Sequence, residues 1–173
     1  YVLMDNHYHF LLDTPEANLV DGMQWLQSTY TKRYNVRHGA CGHLFQGRYK
    51  AILVEPQSEY FSTLASYIHL NPVRIKGFDF KTQKLVSHVW SSYSSYINLS
   101  KRIKWLSVDS VLNSEGLTDT SKGRQNYRAI IERKIIKVQN HSEPWNADSN
   151  RHKIRRGWCY GGDKFRETSI KMI

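Results

Sequence analysis

The stretch "LMDNHYHFLL", residues 3–12, decides how this chain is read. Two short apolar runs flank Asp5-Asn6, a pair that favours turns, so a hairpin or a bent strand is expected here. In the second run His7 and His9 stand two apart. In a strand such residues share a side and lie about 7 Å apart, close enough for both imidazoles to meet one ion. Two ligands leave a metal site incomplete, so a third must come from elsewhere. The competing explanation is a pair of ordinary hydrogen-bonded strand histidines.

Outward from this stretch, Pro15 stops the strand. Leu19, Met23, Leu26, Tyr30 and Tyr34 then recur at helical spacing, with Asn18 as N-cap and Gly39 as stop. "GRYKAILVE", residues 47–55, reads as a strand that puts Arg48 and Lys50 on one face. A second helix is expected over residues 58–71, with Phe61, Leu64 and Ile68 inward. Pro72 ends it by pushing Asn71 out of the α region. "HVWSSYSSYI", residues 88–97, predicts a short helix, and another is expected near residues 107–114. A longer helix is predicted over residues 125–138, with Tyr127, Ile130, Ile131, Ile135 and Val138 inward. The "GGDKFRETSIKM" stretch predicts a last helix capped by Asp163, and residues 139–157 read as a basic linker. The expected class is α+β: one unit over residues 1–97, then a basic helical appendage over residues 98–173. Because "YVLM" already reads as mid-strand, a preceding N-terminal piece is expected.

The chain has 173 residues and a net charge of +10. Residues 1–100 hold 9 Lys and Arg against 7 Asp and Glu, whereas residues 101–173 hold 16 against 8. That excess favours a polyanionic partner. No apolar run is long enough to span a membrane and no signal peptide opens the chain, so a cytoplasmic, non-membrane protein is expected. Cys41 and Cys159 are expected as reduced thiols. "HGACGH" gathers His38, Cys41 and His43, but a fourth zinc ligand is lacking.

"SYIHLNPVR", residues 66–74, supplies candidates for the missing chemistry. Tyr67 and Asn71 are four apart and share a helix face. A tyrosine hydroxyl can serve as nucleophile and an amide oxygen can complete a hard-metal site. Tyr60, on nearly the same face, competes with Tyr67 for the nucleophile's role.

Taken in order, "LMDNHYHFLL", "GHLFQGRYKAILVE", "YIHLNPVR" and "WSSYSSYI" resemble the single-tyrosine HUH transposases of the IS200-like superfamily. The resemblance is nearest to REP-associated tyrosine transposases and covers residues 1–97. It implies a ferredoxin-like antiparallel sheet with helices on one face, lacking here its first strand and helix. It implies His7, His9 and Asn71 as ligands of Mg²⁺ or Mn²⁺ and Tyr67 as the nucleophile on single-stranded DNA. The implied product is a 5′-phosphotyrosine, formed at hairpin-containing repeat DNA by a monomer or a homodimer.

Arg48, Lys50 and Arg74 are candidate phosphate contacts beside that site. Arg124 and Arg128 on the predicted long helix, with Arg151, Lys153, Arg155 and Arg156 in "RHKIRR", are candidates for recognising the hairpin. Trp145 and Trp158 could stack on unpaired bases. The alternative is a domesticated, non-catalytic DNA-binding protein derived from such a transposase. The two-histidine phosphoesterases are excluded because they need paired H-x-[ST] motifs, which this sequence lacks.

Overall fold

The computed structural model describes residues 1–140 and 158–171. They form two compact units, one of residues 12–51 and one of residues 1–11 with the chain from 52 onward.

In the larger unit, β1 (Val2–Leu3) and β2 (Tyr8–His9) pair antiparallel, Val2 with His9 and Leu3 with Tyr8. The Met4 N–H donates to the His7 carbonyl at 2.8 Å and closes the loop over Asp5-Asn6. The hairpin is thus where the turn-prone pair placed it. Val2 also bridges to Ser91 on its other side and is fully buried.

α2 (Glu59–Leu70) begins where Ser58, extended at φ −103° and ψ 169°, accepts the Phe61 N–H on its hydroxyl at 3.2 Å. Its inner face packs against α4 (Asp109–Ser114) and α5 (Ser121–Gln139), and α3 (Tyr93–Ile97) packs against α5. Leu70, Leu112, Tyr127 and Ile131 fill the centre of this core. α5 starts four residues ahead of its first predicted residue, because Thr120 caps it by accepting the Gly123 N–H at 3.0 Å. The helices beyond residue 97 therefore share one core with α2.

Two local expectations are corrected. Of the strand predicted over residues 47–55, only β3 (Leu53–Val54) forms. Its partner is the parallel β4 (Cys159–Tyr160), which leads into α6 (Asp163–Ile170). Backbone bonds from Leu53 to Trp158 and from Glu55 to Tyr160 hold the pair. The upstream residues have no partner strand among those described, so their alternation does not become a ladder. Asn71, predicted outside the α region, is helical at φ −50° and ψ −43°, and the chain runs on as a 3₁₀ turn over Asn71–Arg74. The α+β content agrees with the sequence reading. The described strands form two two-stranded sheets, one antiparallel and one parallel.

In the smaller unit, α1 (Leu19–His38) ends at Gly39, whose φ of 59° is the left-handed stop expected of it. The predicted stripe is only partly inward. Met23 is buried but Tyr30 is 54% exposed. Tyr30 packs on Tyr34 and Phe45, and Asn35 Nδ2 donates to the Gly42 carbonyl at 3.0 Å.

Candidate active site and its histidine pair

The hairpin places the His7 and His9 rings 5.1 Å apart, with their planes 79° from one another. An ion about 2.1 Å from a ring nitrogen lies roughly 3.2 Å from the ring centre, so two rings about 5 Å apart suit one shared ion. His7 Nδ1 donates to Asn6 Oδ1 at 2.6 Å. That bond puts the proton on Nδ1 and leaves Nε2 with the lone pair a metal would use. Burial, with the neighbouring His7, holds the His9 ring down to about 4, so it is neutral at pH 7. The donor set therefore fits a divalent cation. Among the described residues no group of three His, Cys, Asp or Glu gathers to bind a metal. The same fact leaves His38, Cys41 and His43 without a zinc site among those residues, and Cys41 is exposed.

The His9 ring meets the Tyr67 ring edge to face, centroids 5.5 Å apart and planes at 72°. Tyr67 is half-buried on α2, one residue from buried Ser66 and Ile68. Asn71 is buried just past the end of the helix, where its Nδ2 donates to the Tyr67 carbonyl at 3.2 Å. The amide nitrogen is thus spent on the helix, and the oxygen is the atom suited to a hard cation. Arg74 Nη1 donates to the same carbonyl at 2.9 Å, with its guanidinium 4.7 Å over the Tyr67 ring. Tyr60 lies elsewhere, packed edge to face on Tyr160 at 5.0 Å.

Residues 1–71 match the family model for Transposase IS200 like. The matched segment contains both histidines and Tyr67 and ends on Asn71. It supports the IS200-like superfamily and a transposase-type, DNA-processing function in general. No curated protein matches the chain, and no solved structure does.

The predicted DNA contacts fall into different settings, Arg48 and Lys50 inside the IS200-like segment and the others beyond it. Arg48 and Lys50 are exposed in the smaller unit. Arg124 and Arg128 line an open cleft of about 460 Å³ with Lys101 and Gln125, at the start of α5. Arg124 Nη1 is held by Asp119 at 2.8 Å, and Asp119 is also forked by Arg102. Arg128 is paired with Glu132 one turn on, with its side chain 60% exposed. Arg151, Lys153, Arg155, Arg156 and Trp145 lie outside the described residues, and Trp158 is 42% exposed. Among the described residues no helix is long and apolar enough to cross a membrane.

Sequence reasoning missed His69. It is fully buried on α2, with Nδ1 at 2.8 Å from the Tyr127 hydroxyl and Nε2 at 3.2 Å from Ser92 Oγ. Burial above all lowers its pKa to about 3, so the ring is neutral. The only available signal was a polar residue among the apolar ones of α2's inner face.

Proposed function

We propose that this chain is a metal-dependent, single-stranded DNA endonuclease and strand transferase with Tyr67 as nucleophile. The observation that carries the reading is the contact between His9 and Tyr67, which sets a tyrosine hydroxyl's ring beside a histidine pair within the IS200-like segment.

His7 Nε2, His9 and Asn71 would hold Mg²⁺ or Mn²⁺. When bound, the cation supplies Lewis-acid polarisation of the scissile phosphodiester. The chain's own residues do the rest. The half-buried Tyr67 side chain is held between the hairpin and the end of α2, which limits its rotamers and aligns it for in-line attack. Its oxygen attacks phosphorus. The new oxygen–phosphorus bond forms as the bond to the 3′ oxygen of the preceding nucleotide breaks. The phenolic proton passes to water and the departing 3′ oxygen takes one up. The products are a 5′-phosphotyrosine and a free 3′-hydroxyl, and attack by another 3′-hydroxyl on that linkage rejoins strands. Phenolate is a fair leaving group, so the linkage keeps the energy of the broken phosphodiester.

The proposed substrate is hairpin-bearing repeat DNA, as in REP-associated tyrosine transposases, on the proposed ferredoxin-like core. The charge excess beyond residue 100 supports a DNA-recognition role for that part of the chain. Arg48, Lys50 and Arg128 are the exposed phosphate-contact candidates among the described residues.

Cleavage of labelled single-stranded hairpin DNA with Mn²⁺ or Mg²⁺ tests this reading. Cutting that needs the metal, and that His7→Ala and His9→Ala each abolish, is expected. A gel shift without cutting under every metal condition would instead favour the domesticated binder.

A further inference from the structure

Pro72 gives α2 an unusual ending. Proline has no N–H, so the Ile68 carbonyl lacks its partner four residues on. The Asn71 N–H takes that carbonyl instead. Its own α-helical acceptor would have been the Tyr67 carbonyl. Two side chains donate to that carbonyl, Asn71 Nδ2 at 3.2 Å and Arg74 Nη1 at 2.9 Å. The 3₁₀ turn over Asn71–Arg74 brings Arg74 back far enough to make this bond. Once anchored, its guanidinium lies over the ring of the same tyrosine at 4.7 Å.

The geometry points to Arg74 as a positioning residue for Tyr67, an inference that rests on Tyr67 being the nucleophile. One guanidinium grips the backbone and the ring of a single residue, and this fixes the direction in which the hydroxyl leaves the helix. Arginine suits the task because its planar group can donate in its plane while stacking through its face. Lysine has a point charge on a flexible stem and cannot do both. The role differs from a phosphate contact, for which a lysine would largely suffice. The clamp sits seven residues past the tyrosine because the 3₁₀ turn over Asn71–Arg74 carries the chain back toward the Tyr67 carbonyl.

The test compares wild type, Arg74→Ala and Arg74→Lys in the full chain. DNA affinity is measured by anisotropy on a single-stranded hairpin. The rate of covalent adduct formation is measured in a single turnover at saturating DNA with Mn²⁺, and thermal midpoints confirm folding. Both variants should slow the saturated rate about 10- to 100-fold while affinity stays within about twofold. Weakened affinity in Arg74→Ala that Arg74→Lys restores, with the saturated rate unchanged, would make Arg74 a phosphate contact and overturn the inference. Wild-type rate and affinity in both variants would overturn it as well. Absence of any wild-type adduct would instead contradict the nucleophile reading beneath it.

Discussion

The Tyr127 hydroxyl meets His69 Nδ1 at 2.8 Å inside the core, across 58 residues of chain. Ser92 Oγ donates to the Tyr1 carbonyl at 3.1 Å, so it accepts from His69 Nε2–H, and Tyr127 must donate to Nδ1. One neutral histidine thus ties the tyrosine-bearing α2 both to α5 and to the segment before α3.

Tyr127→Phe should lower stability by about 1–3 kcal/mol, since it leaves a buried nitrogen without its donor. Urea unfolding would show it as a lower midpoint at an unchanged slope. An unchanged midpoint would mean that the bond contributes nothing net.

Acid stability should depend on Asp119. Hydrogen bonds from Arg102 foremost, with Arg124, hold its carboxyl down from 3.8 to about 2. A depressed carboxylate stabilises the fold above its unfolded pKa and loses that contribution as pH falls toward its folded one. Unfolding measured from pH 5 to pH 2 should therefore show a loss that Asp119→Asn abolishes, with the variant already weaker at pH 7. The same pairing holds the Arg124 guanidinium against Asp119.

Gly123→Ala should be severely destabilising. A Cβ there would stand 1.9 Å from the Thr118 carbonyl oxygen, a backbone atom that cannot step aside. Overpacking of this kind costs about 1–3 kcal/mol or more, and here it would also disturb the Thr120 cap. Circular dichroism melts would report a large drop, whereas Gly22→Ala, with open space around it, should not.

Much of this was legible because the deciding signals were local. Asp5-Asn6, Ser58, Gly39 and the apolar stripe around Tyr127 and Ile131 each act on neighbours within a turn or two. What was not legible depended on distant partners. Among the described residues β3 has β4 as its one neighbouring strand, which pairs with Leu53 and Val54. His69 reads as a stray polar residue until Tyr127 and Ser92 surround it. The rule that a residue before proline avoids the α region failed at Asn71, whose N–H takes the Ile68 carbonyl that the proline leaves, while side chains from Asn71 and Arg74 donate to the Tyr67 carbonyl.

The central claim is that Tyr67 is the nucleophile, and a denaturing gel for a covalent protein–DNA adduct tests it most directly. With single-stranded hairpin DNA from the gene's own flanks and Mn²⁺ or Mg²⁺, wild type and Tyr60→Phe should form a metal-dependent adduct. Tyr67→Phe should form none. An adduct that survives Tyr67→Phe, or one lost in Tyr60→Phe, would contradict the assignment.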